Sequence, residues 1–248
     1  MTPGTDRIES EQTMSSSDVG TRKPSVLLVY YTYTQQALKV AEAMAETFRE
    51  RGCSVNLAKI EFTDKRWAER FTRLPIKLRK IVGMLPPQMR NATGEIEIPA
   101  EAREGDYDLV CIGSPTWFFK PSIPIRSYLQ SEEAGRILDG KPFAIYVVAR
   151  RYWSINMKAV KKLATKRGGE YVDNLHFVYA GRQIRSLLAL FNYFTHAENR
   201  EKYLGIRIPP TNLQPGYEEQ AKDFATKLAD RLQHSTAVAE GASSAVAG

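Results

Sequence analysis

Hydrophobic residues along the chain fall into short continuous runs that are separated by stretches of helical spacing. Five runs predict strands, the second being weaker: 26–30, 55–60, 109–112, 143–149 and 171–179. After the first run, and again at 217–232, apolar residues recur every three or four positions, which predicts helices. Strands without polar alternation are buried on both faces, and helices between them imply right-handed crossovers in a parallel sheet. The pattern therefore predicts a doubly wound α/β sandwich.

The pattern also predicts a single domain at 25–234. Residues 1–24 and 235–248 lack periodicity and are rich in small and polar residues, so we expect both ends to lack fixed structure. Two stretches are additional to the strands and helices of the sandwich, and we predict that they are helical insertions after strands two and five. The first, 64–91, is basic and amphipathic, and the second, 182–207, contains the apolar run 187–194.

Composition and charge narrow the class of protein. With 43% hydrophobic and 25% charged residues and two cysteines, the chain is neither fibrous, wholly disordered nor stapled by disulfides. It has no apolar run of about 18 residues and no secretory signal, so we expect a cytoplasmic protein. The net charge of +7 understates the basic character of the body, because residues 1–21 and 235–248 hold five of the 28 acidic residues and one of the 35 basic ones. Such a body favours anionic partners.

The loops after predicted strands one, three and four carry the candidate chemistry, because ligands of open parallel sheets bind beyond the carboxyl ends of the strands. The first loop, Tyr30-Tyr-Thr-Tyr-Thr-Gln-Gln-Ala37, runs directly into a helix, whose free N–H groups can hold a phosphate. The second reads Gly113-Ser-Pro-Thr-Trp-Phe-Phe-Lys-Pro121 and the third Ala149-Arg-Arg-Tyr-Trp153. The two aromatic loops are predicted to face each other across a flat ring.

These loops resemble those of the flavodoxin-like superfamily, whose first loop reads Tyr-Ser/Thr-x-Thr-Gly-Asn-Thr and cradles the FMN phosphate. Its strand-three loop reads Gly-(Ser/Thr)-Pro-x-(Tyr/Trp) and lies against the isoalloxazine. The segment 117–125 and the third loop are also similar to flavodoxin-related proteins named as dialkylresorcinol-condensing enzymes. The resemblance covers 25–234 and implies sheet order 2-1-3-4-5 and FMN as cofactor. The residues it implies for binding are Thr32, Tyr33, Thr34, Gln35, Gln36, Ala37, Ser114, Pro115, Thr116, Trp117, Phe118, Phe119, Ala149, Arg150, Arg151, Tyr152 and Trp153.

The first loop departs from the superfamily at two positions. Gln35 stands in place of the glycine and Ala37 in place of the closing threonine. A glutamine fits there only with its side chain outward and an ordinary φ. Loss of the threonine hydroxyl removes a charge-assisted hydrogen bond worth about 1.5–3 kcal/mol. Weak FMN binding and no FMN binding are both compatible with these changes.

Two functions follow from these observations. The first is an FMN-dependent oxidoreductase, a flavoprotein that transfers electrons or hydride to a quinone-like or other small aromatic acceptor. The flavin carries that chemistry, so no catalytic residue is assigned. The second is a flavodoxin-like scaffold with a degenerate phosphate loop, which binds a protein, a lipid surface or a small ligand without flavin chemistry.

Other features leave alternatives open. Arg150 and Arg151 serve a flavin, an anionic substrate or the phosphates of an NAD(P)H electron donor, or they are a solvated pair. The insertion 64–91 replaces the second crossover helix, or it is an interfacial helix on an anionic membrane. The run 187–194 is a lid, a homodimer contact or a membrane-dipping loop. The three histidines lack ligand spacing, so we expect no metal site, and the basic residues match no nucleic-acid-binding module.

Overall fold

The computed structural model of the protein describes residues 22–67 and 74–246. The strands are Ser25–Tyr30 (β1), Ser54–Lys59 (β2), Glu61–Phe62 (β3), Ile96–Glu97 (β4), Leu109–Trp117 (β5), Lys120–Pro121 (β6), Pro142–Ala149 (β7), Glu170–Val178 (β8), Lys202–Tyr203 (β9) and Ile206–Arg207 (β10). The helices are Gln36–Glu50 (α1), Leu78–Val82 (α2), Leu85–Met89 (α3), Ala100–Arg103 (α4), Ile123–Gln130 (α5), Glu132–Leu138 (α6), Trp153–Lys166 (α7), Gln183–His196 (α8) and Tyr217–Val246 (α9).

The five long strands form one parallel sheet in the order β2-β1-β5-β7-β8. Counted among the long strands, this is the order 2-1-3-4-5, so the predicted flavodoxin-like, doubly wound fold is confirmed. The order reverses beside β1, and the carboxyl ends of β1, β5 and β7 meet at one edge of the sheet. Ligands of such sheets bind at this edge.

Both faces of the sheet are covered, which explains the continuous apolar runs. In β1, Leu28 packs into a core that α1 and α9 complete, and its neighbours Leu27 and Val29 pack into a second core that includes α5, α6 and α7. Successive strand residues point to opposite faces, so a strand with helices on both sides needs an apolar residue at every position.

The structure differs from the sequence prediction in three places. Strand β5 continues past residue 112 to Trp117 and pairs with β6, so the aromatic residues lie on a short hairpin instead of a simple loop. Helix α9 continues to Val246, beyond residue 234, where the unstructured tail was expected. The insertion 64–91 holds the short helices α2 and α3 instead of one crossover helix. Residues 68–73 of that insertion, and the expected disordered residues 1–21, lie outside the described part.

Within 22–67 and 74–246, no helix is both long enough and apolar enough to cross a bilayer.

Candidate functional site

A cavity of about 400 Å³ opens at the carboxyl edge of β1, β5 and β7. Its size falls in the range of about 300–1,000 Å³ that is usual for small-molecule sites. The sequence-predicted residues that line it are Thr32, Tyr33, Thr34, Ala37, Pro115, Thr116, Trp117, Phe118, Phe119, Ala149, Arg150, Arg151 and Tyr152. The other predicted residues, Gln35, Gln36, Ser114 and Trp153, are not part of the lining. The three loops are therefore brought together around one space.

The first loop enters α1 through a left-handed residue. Gln35 is the N-cap of α1, with φ 62° and ψ 0°, and its side chain is exposed. The sequence analysis expected an ordinary φ for a glutamine at this position, and that expectation is wrong. The backbone adopts the conformation that glycine reaches at little cost, so the helix begins in spite of the glutamine.

The side chain of Gln36 is part of the structure of the loop. It is buried, its Nε2 donates to the carbonyl of Thr34 at 3.0 Å, and its Oε1 accepts from the backbone N–H of Leu213 at 3.2 Å. In the described residues, no acceptor bonds the backbone N–H groups of Gln35, Gln36 or Ala37. The first amides of α1 are thus neither capped by a glutamine nor satisfied by the chain, and they carry the partial positive charge of a helix N-terminus.

Arg150, which is half-buried, lies at the same side of the cavity as the start of α1. Its guanidinium is 4.1 Å from the centre of the Tyr179 ring, and the Tyr179 hydroxyl is 3.0 Å from Thr34 Oγ1. Arg150 Nη1 donates to the carbonyl of Ser186 at 2.6 Å and also to its hydroxyl, whereas the buried Nη2 has no partner among the described residues. Burial lowers the pKa of Arg150 to about 10, so the group remains cationic at pH 7. A buried N–H group of a cation that has no hydrogen-bond acceptor attracts an anion strongly.

Aromatic side chains of the second and third loops form the next wall. Phe119 and Tyr152 contact each other edge to face at 4.7 Å between ring centres. Trp117 lies edge-on to Tyr31 at 5.6 Å. Trp153 was expected beside a flat ring together with Tyr152. Its indole instead stacks on the imidazole of His176 at 3.7 Å, outside the cavity lining.

Three of the six non-glycine residues with a left-handed φ in the described chain lie in the three loops. Phe118 and Tyr152 have φ of 57° and 60°, so each of the three loops holds one non-glycine residue in the left-handed region, Gln35 being the third. Such conformations cost about 1–3 kcal/mol each, and they persist only where the surroundings enforce them.

Buried hydrogen bonds fix the aromatic hairpin from two sides. Asn156 of α7 accepts from Ser114 Oγ at 2.9 Å and donates to Thr116 Oγ1 at 2.8 Å. Gln88 of α3 donates to the carbonyls of Trp117 at 3.0 Å and Pro121 at 2.7 Å. Ser114, which the sequence places among the binding residues, therefore has a structural role, and the first insertion supports the site.

The two insertions meet above the cavity. The backbone N–H of Ile76 donates to the carbonyl of Phe194 at 2.6 Å, and the Phe194 ring contacts Tyr33 at 5.5 Å. The apolar cover is completed by Ile81, Met84, Leu187, Leu190 and Phe191. Residues Leu187, Leu190, Phe191 and Phe194 of the run 187–194 therefore cover the cavity.

Several lining residues were not predicted, namely Val148, Tyr179 and the insertion residues of the cover. Val148 and Tyr179 lie at the ends of β7 and β8, so the rule that sites form at carboxyl edges could have identified them. The cover could not be identified, because it depends on contact between two insertions that are distant in sequence.

In the part of the chain that the structure describes, no cluster of three or more histidine, cysteine or acidic side chains could hold a metal ion.

Solved structures with a similar fold include a flavoprotein, a flavodoxin and an oxidoreductase, at low similarity. A flavoprotein in complex with FMN from Lactobacillus acidophilus NCFM is 17% identical, covers 62% of this chain and 93% of its own, and has a TM-score of 0.47. A flavodoxin from the domain Archaea is 11% identical, with coverages of 85% and 99% and a TM-score of 0.46. The rubredoxin oxygen:oxidoreductase of Desulfovibrio gigas is 16% identical, with coverages of 86% and 37% and a TM-score of 0.47.

No protein-family profile and no curated protein matches the chain. Similarity at these sequence identities and TM-scores does not indicate which reaction or ligand this chain has. The flavodoxin-like class is defined by the order and crossovers of the chain's own strands.

Proposed function

We propose that this protein is an FMN-dependent oxidoreductase that passes electrons or hydride to an apolar, quinone-like or other small aromatic acceptor. The observation that carries the proposal is the pairing of unbonded amides at the start of α1 with the half-buried Arg150, whose buried Nη2 has no partner in the described chain. Both groups attract an anion, and Ala37 and Arg150 line the cavity at the edge of the sheet where ligands of this fold bind.

The residues fit a phosphate attached to an aromatic ring. The backbone amides of 35–37, the hydroxyls of Thr32 and Thr34 and the guanidinium of Arg150 would hold the phosphate. Trp117, Phe119 and Tyr152 would contact the ring. Bound FMN would supply reversible electron and hydride transfer, which no protein side chain provides.

The chain's own contribution is binding, orientation and exclusion of water. The cover of Ile81, Met84, Leu190 and Phe191 is apolar, which favours a flat apolar acceptor over a polar one. NAD(P)H is proposed as the electron donor, with the exposed Arg151 at the mouth of the cavity as the contact for its phosphates.

The test is the visible spectrum of the purified protein, followed by titration of flavin-free protein with FMN and measurement of flavin fluorescence. We expect bound FMN, or quenching on titration. Arg150→Met should weaken FMN by about 10- to 100-fold, because one charge-assisted hydrogen bond is lost. Arg49→Met removes an exposed arginine from the far end of α1 and should leave the affinity unchanged.

A second variant is expected to gain affinity, which misfolding cannot explain. Ala37→Thr restores a hydroxyl at the start of α1 and should tighten FMN. A colourless protein that quenches no added FMN would reject the proposal and favour the scaffold without flavin. Equal affinities for Arg150→Met and Arg49→Met, with Ala37→Thr also unchanged, would mean that the phosphate lies elsewhere.

A further inference from the structure

The mouth of the cavity is surrounded by large apolar side chains that face solvent. Phe118, Tyr152 and Leu187 all line the cavity, yet they are 37%, 38% and 44% exposed. One turn before Leu187 on the same side of α8, Ile184 is 74% exposed. Apolar side chains gathered around one opening mark an interaction surface more often than scattered ones do.

Helix α2 adds a second apolar edge to the same surface. Its residue Ile81 lines the cavity, while Leu78 and Val82, one turn apart, are exposed. Because the segment leading into α2 bonds to α8 through Ile76 and Phe194, the two helices form one continuous cover over the cavity.

The charge of this surface has one sign. The four segments that form it, 74–94, 115–121, 149–158 and 180–197, contain no Asp or Glu, although the chain has 28 acidic residues. Five exposed cations of α2 and α8 and their caps lie beside the apolar residues, and none of them forms an ion pair with another described residue: Lys77, Arg79, Lys80, Arg182 and Arg185.

Basic residues flank exposed apolar residues at the start of both helices. Ile184 lies between Arg182 and Arg185, and Leu78 is followed by Arg79 and Lys80. This combination is typical of surfaces that insert apolar side chains at the acyl boundary and place cations among anionic headgroups. A soluble anion would require the cations without the exposed apolar side chains.

We infer that this surface docks the protein on an anionic phospholipid bilayer, with the mouth of the cavity facing the membrane. An apolar acceptor dissolved in the bilayer then reaches the cavity without crossing water. The docking surface does not depend on flavin binding, so it can be tested independently of the proposed oxidoreductase function.

The test is co-sedimentation of the full chain with vesicles of phosphatidylcholine alone or with added phosphatidylglycerol, at low and high salt. We expect binding to the phosphatidylglycerol vesicles at low salt and weaker binding at high salt, because salt screens the headgroup charge. Ile184→Glu should lower vesicle affinity by about tenfold or more, through loss of apolar insertion and the added negative charge. Arg185→Glu should lower it at least about fivefold.

Matched controls separate this surface from general surface properties. Leu204→Glu makes the same change at a residue that is 77% exposed on the turn between β9 and β10, outside the cavity lining. Arg207→Glu does the same for an exposed arginine of β10. Both controls should bind vesicles nearly as wild type.

Three outcomes would overturn the inference. In the first, the wild-type protein does not bind anionic vesicles at low salt. In the second, it binds neutral and anionic vesicles equally. In the third, Ile184→Glu and Leu204→Glu lose vesicle affinity to the same extent. If vesicle binding is absent and the protein self-associates in a way that Ile184→Glu abolishes, the surface belongs to a second copy of the chain. Vesicle binding by a colourless protein would support docking while rejecting the flavin proposal.

Discussion

The left-handed residue before α1 allows a direct test of the geometry on which the proposed phosphate site depends. Gln35 has φ 62°, its side chain is exposed, and it makes no side-chain hydrogen bond in the described residues. Replacement by glycine therefore removes the cost of a Cβ in the left-handed region without removing a recorded contact. We expect Gln35→Gly to make the protein more stable.

The magnitude follows from two opposing contributions. A non-glycine residue in the left-handed region costs roughly 1–2 kcal/mol. Glycine gives the unfolded chain extra freedom, which offsets about 0.4–1 kcal/mol of that gain. The free energy of unfolding should rise by about 0.5–1 kcal/mol, which raises Tm by roughly 1–4 °C in a domain of this size.

Urea denaturation of Gln35→Gly and wild type measures this difference, provided that the m-value is unchanged. Gln35→Ala keeps the Cβ and should gain nothing. Lys39→Gly places the same residue at an exposed position inside α1, where it should cost about 0.5–1 kcal/mol. If Gln35→Gly destabilises the protein as Lys39→Gly does, the loop does not have the left-handed conformation, and the unbonded arrangement of the α1 amides is refuted with it.

Three further predictions concern buried groups. Asn156→Ala should lower the free energy of unfolding by about 1–3 kcal/mol, because the buried Ser114 hydroxyl loses its partner; a loss below about 0.5 kcal/mol would contradict this. Burial raises the pKa of Cys111, so a variant with Cys111 as its sole cysteine should resist maleimide labelling at pH 8 until denaturant unfolds it, and rapid labelling of folded protein would count against the burial. The hydrogen bond from Arg66 lowers the pKa of Asp64 to about 2, so its stabilisation relative to Asp64→Asn should be full above about pH 4 and disappear as pH falls through 2; unfolding curves that stay parallel over that range would refute it.

The sequence predicts the fold because its signals are local. Residues 26–30 are apolar at every position because β1 is covered on both faces, and 37–48 have helical spacing because one side of α1 packs on the sheet. The rule that sites form at carboxyl edges then brings the three loops together. Thr32, Trp117 and Arg150 all line the cavity, as their positions at the carboxyl ends of strands adjacent in the sheet imply.

The orientation of individual side chains is less accessible from sequence. Tyr152 turns the chain through a left-handed conformation, so the next residue begins α7 and Trp153 packs on His176 instead of entering the cavity. Tyr152 and Trp153 are adjacent in sequence whether Trp153 enters the cavity or packs on His176, so the sequence does not distinguish the two orientations. Nothing in the local pattern indicates that Gln88 bonds the carbonyl of Trp117, since that contact joins an insertion to a hairpin.

Strain and support in the three loops together indicate a site that is formed before a ligand binds. Gln35, Phe118 and Tyr152 each hold a costly conformation, and the hydrogen bonds of Gln88 and Asn156 hold the hairpin around Phe118. A loop that is already fixed in its strained form loses little conformational entropy when a ligand binds. A larger part of the free energy of each ligand contact then contributes to affinity. In the proposed phosphate site, the missing threonine hydroxyl at Ala37 would therefore weaken the binding of the phosphate without abolishing its site, because the α1 amides and Arg150 are held in place by bonds that do not involve the ligand.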